Sequence, residues 1–262
     1  MATQPLASKQ KIDPQVETAS EILAFRALNE ALLWQAIPLC SSQIIDYQSK
    51  SEQAIVVSVD EPLASQLHTC DAQDCCSTAS RIQQLSWQLA AEHADEISSA
   101  GSILLRTELH SSLDDRLCFA LDQAFESLSS GISLGILIPW EWAVQSPASM
   151  ALCSELRALG AELAFDRFSG GAACIDDMER ASPDLLVLAP TLARGISSHP
   201  RRLKQLKKVA SHCEVSEIQI VLPAGLPEDD YEAGFDIGLN LLAASTSSAT
   251  NSQNPIKSPT CD

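Results

Sequence analysis

The chain has 262 residues, 45% of them hydrophobic, with a mean hydropathy of +0.03, which excludes a wholly disordered polypeptide and allows one large domain or two small ones. Only 19% of the residues are charged, and 17 basic against 34 acidic side chains leave a formal charge of -17, which argues against general nucleic-acid binding because phosphates need a concentrated positive field. No apolar run reaches the roughly 20 residues that span a bilayer, and the opening MATQPLASKQKIDPQ lacks the apolar stretch of a secretory signal, so a cytoplasmic location is expected.

In chain order, residues 1–15 are expected to be disordered and 16–243 to form one domain. Residues 17–34 space Ile22, Leu23, Phe25, Leu28, Leu32 and Leu33 along one helical side. Strands are expected at Ile37–Asp46 and Ala54–Asp60, separated by the polar YQSKSEQ. Residues 77–95 read as a helix with Ile82, Leu85 and Leu89 on one face, Ser102–Leu109 as a strand, and Leu113–Leu128 as an amphipathic helix. The second half alternates more cleanly: strand Ile132–Pro139, helix Pro147–Leu159 ended by Gly160, strand Leu163–Phe168, a short helix over Asp176–Ala181, and strand Asp184–Leu188. A basic helix over 199–212, a strand at Glu217–Leu222 and a last one at Phe235–Leu239 follow. The tail 244–262, rich in Ser, Thr, Asn and Pro, has nothing to bury and is expected to be disordered.

Eight strand candidates alternating with helices, several of them continuous apolar runs, imply an α/β fold with parallel strands covered by helices. About 230 residues of this alternation suit a closed (β/α)8 barrel of the TIM type, and an open doubly wound sheet is the rival. No Gly-x-Gly-x-x-Gly turn follows an early strand, so a dinucleotide site has no local support. Nine cysteines fit a reducing compartment as small core residues. His68, Cys70, Cys75 and Cys76 stand close in sequence, but their spacing matches no zinc knuckle, and a loop with incidental thiols is the better reading. The five histidines form no recognisable ligand pair, and neither a Gly-x-Ser-x-Gly elbow nor a Walker loop is present.

Residues 155–188, ELRALGAELAFDRFSGGAACIDDMERASPDLLVL, carry a more specific signal. The helix end Leu156–Gly160, the strand Leu163–Phe168, the turn Ser169–Gly171 and the strand Asp184–Leu188 resemble the second half of the EAL domain, the family that hydrolyses cyclic di-GMP. There the order is L-R-x-L-G, then A-L-D-D-F-G-T-G, then P-V-D-x-L-K-I-D. AGFDIGLNLL lies where that family has L-G-C-D-x-x-Q-G-Y-L-F, and Ile44-Ile45-Asp46 where it has P-I-V-D. The resemblance covers about residues 20–243 and implies a single EAL-like barrel serving cyclic di-GMP signalling in bacteria.

The family's chemistry needs two divalent ions held by converging oxygens. The glutamate of E-A-L would fall near Val57–Leu63, where Asp60 and Glu61 offer no clear match. The asparagine of the third strand would be Arg106 or Thr107. The paired glutamates of L-E-I-T-E align with LIPWE, leaving Ile138 and Glu141, and the Asp-Asp pair becomes Asp166-Arg167. The lysine and aspartate of L-K-I-D become Val187 and Ala189, and the later glutamate and glutamine become Ala224 and Leu239. On this carry-over Glu141 and Asp166 are vestigial ligands, no metal or other cofactor is expected, and the domain is expected not to be an enzyme.

Three readings of what remains follow from the residues. Arg106 and Arg167 can pair with phosphate oxygens of a nucleotide such as cyclic di-GMP, or Arg167 can close a filled pocket by pairing with Glu141 or Asp166. Trp140 and Trp142 suit a protein interface, or one ring packs in the core while the other covers the barrel end. Arg201, Arg202, Lys204, Lys207 and Lys208 concentrate positive charge on one helix that can meet an acidic partner, or are simply solvated while Leu203 and Leu206 dock. The role expected first is regulatory binding of an unidentified protein partner, with non-hydrolysing cyclic di-GMP reception as the alternative.

Overall fold

The computed structural model describes residues 37, 39–59, 73–94, 101–107, 115–128, 131–170 and 174–244. The helix expected at 17–34, both chain ends, His68, Cys70, Asp60 and Glu61 lie outside the described residues.

Strand β1 (Leu39–Asp46) turns back on β2 (Glu52–Val59) as an antiparallel hairpin. Asp46 caps the turn, its Oδ1 accepting from the Ser49 amide at 2.7 Å and the Ser49 hydroxyl at 2.9 Å. From β2 onward, β3 (Ser102–Arg106), β4 (Ser133–Pro139), β5 (Glu162–Phe168), β6 (Leu185–Leu188), β7 (Gln219–Leu222) and β8 (Leu241–Ala243) each run parallel to the strand before. Antiparallel pairing of β8 with β1 closes the barrel. The closed barrel expected from the sequence is therefore present, but β1 departs from parallel pairing. The polar link between β1 and β2 is too short for a parallel crossover, which takes a dozen residues or more.

Helices fill the intervals: α1 (Gln73–Glu92), α2 (Asp115–Ser127), α3 (Trp140–Ala143), α4 (Pro147–Ala158), α5 (Ile175–Ala181), α6 (Pro190–Ala193), α7 (Pro200–Val215) and α8 (Glu228–Phe235). Local chemistry sets their ends. Ser146 caps α4 by accepting from the Ser149 amide at 3.1 Å, with Pro147 at the first helical position and Gly160 in the left-handed region just beyond the end. Cys75 and Cys76 fall within the first turn of α1.

Alternation along the strands sorts the core into two layers. Ile44, Ala54, Val56, Leu104, Leu137, Ala164, Leu185, Val187 and Val221 fill the barrel. Their strand neighbours, among them Ile103, Ile136, Phe165 and Leu222, pack outward against Trp87, Leu156 and Leu206 of the helices. The strand expected at Phe235–Leu239 is not one. Phe235 ends α8, and the Leu239 amide bonds back to the Gly234 carbonyl at 3.1 Å. Ile237 and Leu239 instead pack into the outer layer, because a short apolar run does not by itself distinguish a strand from a helix exit. Among the described residues no helix is long and apolar enough to cross a membrane.

Candidate functional site

The carboxyl ends of the parallel strands form the barrel mouth, where enzymes and binding proteins of this architecture place their sites. Arg106 alternates with the inward Leu104 at the end of β3, and Asp166 alternates with the inward Ala164 at the end of β5. Both therefore stand on the inner side above the barrel core. Their side chains meet over β4, Arg106 Nη2 lying 3.2 Å from Asp166 Oδ2. The Arg106 carbonyl is fixed from below by α1, accepting from Gln83 Nε2 at 3.1 Å and, at the limit of a hydrogen bond, from Trp87 Nε1 at 3.5 Å.

A bulge in β5 brings a second cation to the same carboxylate. Phe165 and Phe168 both sit in the outer layer although three residues apart, so one residue between them is extra. Arg167 absorbs it with φ 56°, a left-handed backbone that costs a non-glycine residue on the order of 1 kcal/mol or more. That turn aims its amide at Asp166 Oδ1, 2.9 Å away, and sets its Nε 3.8 Å from Oδ2. Asp166 is thus bracketed by two guanidinium groups and a backbone donor. The Arg106 Nε is buried without a hydrogen-bond partner among the described residues, a deficit worth roughly 1–3 kcal/mol.

Other candidate residues separate from this centre. Thr107 is buried and bonds the Leu137 carbonyl through its hydroxyl at 3.2 Å, so Arg106 is the residue that β3 offers to the mouth. Glu141 is exposed, and Arg167 pairs with Asp166 but with no other described carboxylate. Trp140 is withdrawn from the expected interface. Only 3% exposed, it meets Phe165 and Phe168 edge-on at 5.6 and 4.9 Å between ring centres. Trp142 is half-buried and, with Pro139, Trp140, Glu141 and Arg167, lines a small cavity of about 120 Å³. On α7, Arg201, Arg202, Lys204, Lys207 and Lys208 are all exposed and make no ion pair with a described residue, while Leu206 is buried and Leu203 packs against the core.

Asp230 was not legible as a structural residue. It stands beside the exposed Asp229 in a run of acids, and nothing in the sequence separates them. Asp230 is nonetheless buried and receives the Gly195 amide at 2.7 Å, the Ser197 amide at 3.0 Å and the Ser197 hydroxyl at 2.7 Å. A cavity of about 390 Å³ lies elsewhere, walled by the end of β1, the starts of β7 and β8, and the last turns of α7.

The described residues of the mouth bring together no ligand set for two metals. Asp166 is committed to two guanidinium groups, and no three described His, Cys, Asp or Glu side chains converge. Two positions in the ligand carry-over also change meaning. Ile138 and Leu239 belong to the outer layer and face the helices, so neither stands where an inward ligand would, and β4 ends at the mouth in Pro139.

No protein-family profile matches the chain, and no curated protein sequence does. Solved structures do match. The FimX EAL domain of Xanthomonas citri in complex with cyclic di-GMP superposes with a TM-score of 0.68 at 12% identity, covering 88% of this chain and 94% of that one. BlrP1 of Klebsiella pneumoniae, in a manganese and cyclic di-GMP complex, gives 0.67 at 16% identity over 80% of this chain and 55% of its own. Bd1971, an EAL enzyme in its cGMP-bound form, gives 0.64 at 10% identity over 88% of this chain and 67% of its own. The chain thus spans a little over half of BlrP1 and two thirds of Bd1971. Its fold is that of the EAL-domain barrel.

These matches overturn the expectation that the chain is not an enzyme, since an EAL enzyme carries the same barrel. The expectation rested on a motif-by-motif count of lost ligands. Ile138 and Leu239 drop out of that count because they face the helices, and Asp60 and Glu61 lie outside the described residues.

Proposed function

We propose that the chain is an EAL-fold signalling domain that binds cyclic di-GMP at the barrel mouth, with Arg106 and Arg167 receiving its phosphates. The observation that carries this reading is the convergence of two guanidinium groups on one point of the mouth, one of them with a buried Nε–H that has no partner among the described residues. Guanidinium matches a phosphate through two parallel N–H donors. The fold adds support, since the FimX EAL domain and BlrP1 are both seen in complexes with cyclic di-GMP. Half-buried Trp142, beside Arg167, offers an aromatic edge against which a base can pack.

Calorimetric titration of the purified protein with cyclic di-GMP and magnesium tests the proposal. Saturable binding is expected, weakened at least tenfold in Arg106→Gln and in Arg167→Gln. Chromatography of the nucleotide afterwards reports whether it is cut. Absence of heat at high protein concentration would remove the nucleotide reading.

A second reading is supported by α7. Five exposed cations without described carboxylate partners, on a protein of formal charge -17, make that helix a docking face for an acidic protein partner. Loss of partner binding on charge reversal of α7, with nucleotide binding retained, is the result that distinguishes the two surfaces.

A further inference from the structure

The cyclic di-GMP reading leaves open what occupies the two arginines in the free protein. The geometry points to Asp166 as a built-in competitor: an internal anion that holds Arg106 and Arg167 until a phosphodiester displaces it, and so sets the affinity and selectivity of the mouth. The inference rests on the cyclic di-GMP reading and assigns Asp166 a regulatory part in that site.

Three features support it. Asp166 engages Arg106 through one oxygen, at 3.2 Å from Nη2, and leaves Nε without a described partner. A carboxylate meeting the guanidinium fork squarely would satisfy two donors at once, so this pairing uses less than the arginine can give. The second feature is the anchor. Asp166 Oδ1 accepts the Arg167 amide at 2.9 Å, and the left-handed Arg167 backbone at φ 56° keeps that donor in place. The carboxylate therefore stays at the mouth when the arginine side chains swing away, and its charge opposes an incoming phosphate. The third is exposure. The Arg106 and Arg167 side chains are 39% and 57% exposed, against 12% for Asp166, so the cations are the groups free to move.

A small anion with one phosphate must replace Asp166 with little else to gain. A ligand with two phosphates and two bases brings further contacts, so the competitor screens out simple anions. The substitution Asp166→Asn removes the charge while keeping both the shape and the oxygen that accepts the Arg167 amide.

Calorimetry with cyclic di-GMP and with inorganic phosphate, run on the wild type, Asp166→Asn, Arg106→Gln and the Asp166→Asn/Arg106→Gln double variant, tests the inference. Thermal melting of each form verifies folding. Asp166→Asn is expected to bind cyclic di-GMP at least tenfold more tightly than wild type, and to bind inorganic phosphate where the wild type does not. Both gains should disappear in the double variant. Equal or weaker binding by Asp166→Asn, with the wild type binding well, overturns the competitor and leaves the nucleotide reading standing; Asp166 would then position the arginines or ligate magnesium, and repeating the titration in EDTA separates these. If no folded form binds cyclic di-GMP, the reading and the inference fall together.

Discussion

Cys153 and Cys213 are packed between helices and barrel, and burial pushes both thiols up to about 11. For Cys153 the nearby Arg157 charge pulls the other way and is outweighed. At pH 8 a thiol of that acidity is roughly one part in a thousand thiolate, the species that reacts. Cys40, by contrast, is exposed on β1. Brief treatment with a thiol reagent at pH 8 should therefore label Cys40 and spare Cys153 and Cys213 until urea unfolds the barrel, as read by peptide mass spectrometry. Labelling of Cys213 at the rate of Cys40 would mean that α7 does not stay docked. The sign for stability follows from the raised folded value. The contribution of these neutral thiols is whole below the unfolded pKa near 9 and is lost as pH rises through about 11, so alkaline melting should steepen in that window.

At the scale of elements, Asp230 ties α8 to the loop between α6 and α7. Burial alone raises its pKa, but the hydrogen bonds from Ser197 and Gly195, with the Arg194 charge, more than reverse this and hold the carboxyl below the ordinary 3.8. A depressed folded value means that the stabilisation is present above the unfolded pKa and lost as pH falls through the folded one. Asp230→Ala should cost on the order of 3 kcal/mol at pH 7 through its orphaned donors, and less at acid pH; urea melts at both pH values measure the difference. An equal loss at pH 7 and pH 2 would contradict the clamp. The strands from β2 to β7 were legible because each is a short apolar run bounded by polar or glycine-containing stretches, and Pro147 and Pro200 mark helix starts by chemistry visible in the letters. The bulge was not legible. Nothing in AFDRF states that Phe165 and Phe168 share a layer; only closure of the barrel against Trp140 decides it. For the same reason the arginines were readable as candidates, but their meeting on Asp166 was not. Gly135 shows what closure demands of one strand. A Cβ there would stand 2.6 Å from Leu104 Cδ2 and 2.8 Å from the Glu162 carbonyl oxygen, and the second contact cannot yield without moving β5. Gly135→Ala should lower stability by about 1–3 kcal/mol, seen as an earlier urea midpoint with an unchanged slope.

Across the whole molecule, charge is distributed so that the two candidate surfaces can be tested independently. At the mouth the single Asp166 carboxylate is shared between Arg106 and Arg167, leaving one positive charge in excess among the three, whereas the lysines and arginines of α7 form no ion pair with a described carboxylate. Lys204, Lys207 and Lys208 form no ion pair with Asp166, and physiological salt weakens interactions between exposed charges. Reversing Lys204, Lys207 and Lys208 to Glu should therefore leave cyclic di-GMP affinity within about twofold of wild type. The fold should tolerate it as well, since exposed substitutions away from packed or capped positions usually shift stability by no more than about 0.5 kcal/mol each, and Leu206 and Val209, which dock the helix, are untouched. What should disappear is attraction for polyanionic protein: a poly-glutamate probe is expected to bind the wild type weakly at low salt, to release as salt is raised, and to ignore the triple variant. Unchanged poly-glutamate binding in that variant would move the acidic-partner surface away from α7, while a large drop in nucleotide affinity would show that the two surfaces are one.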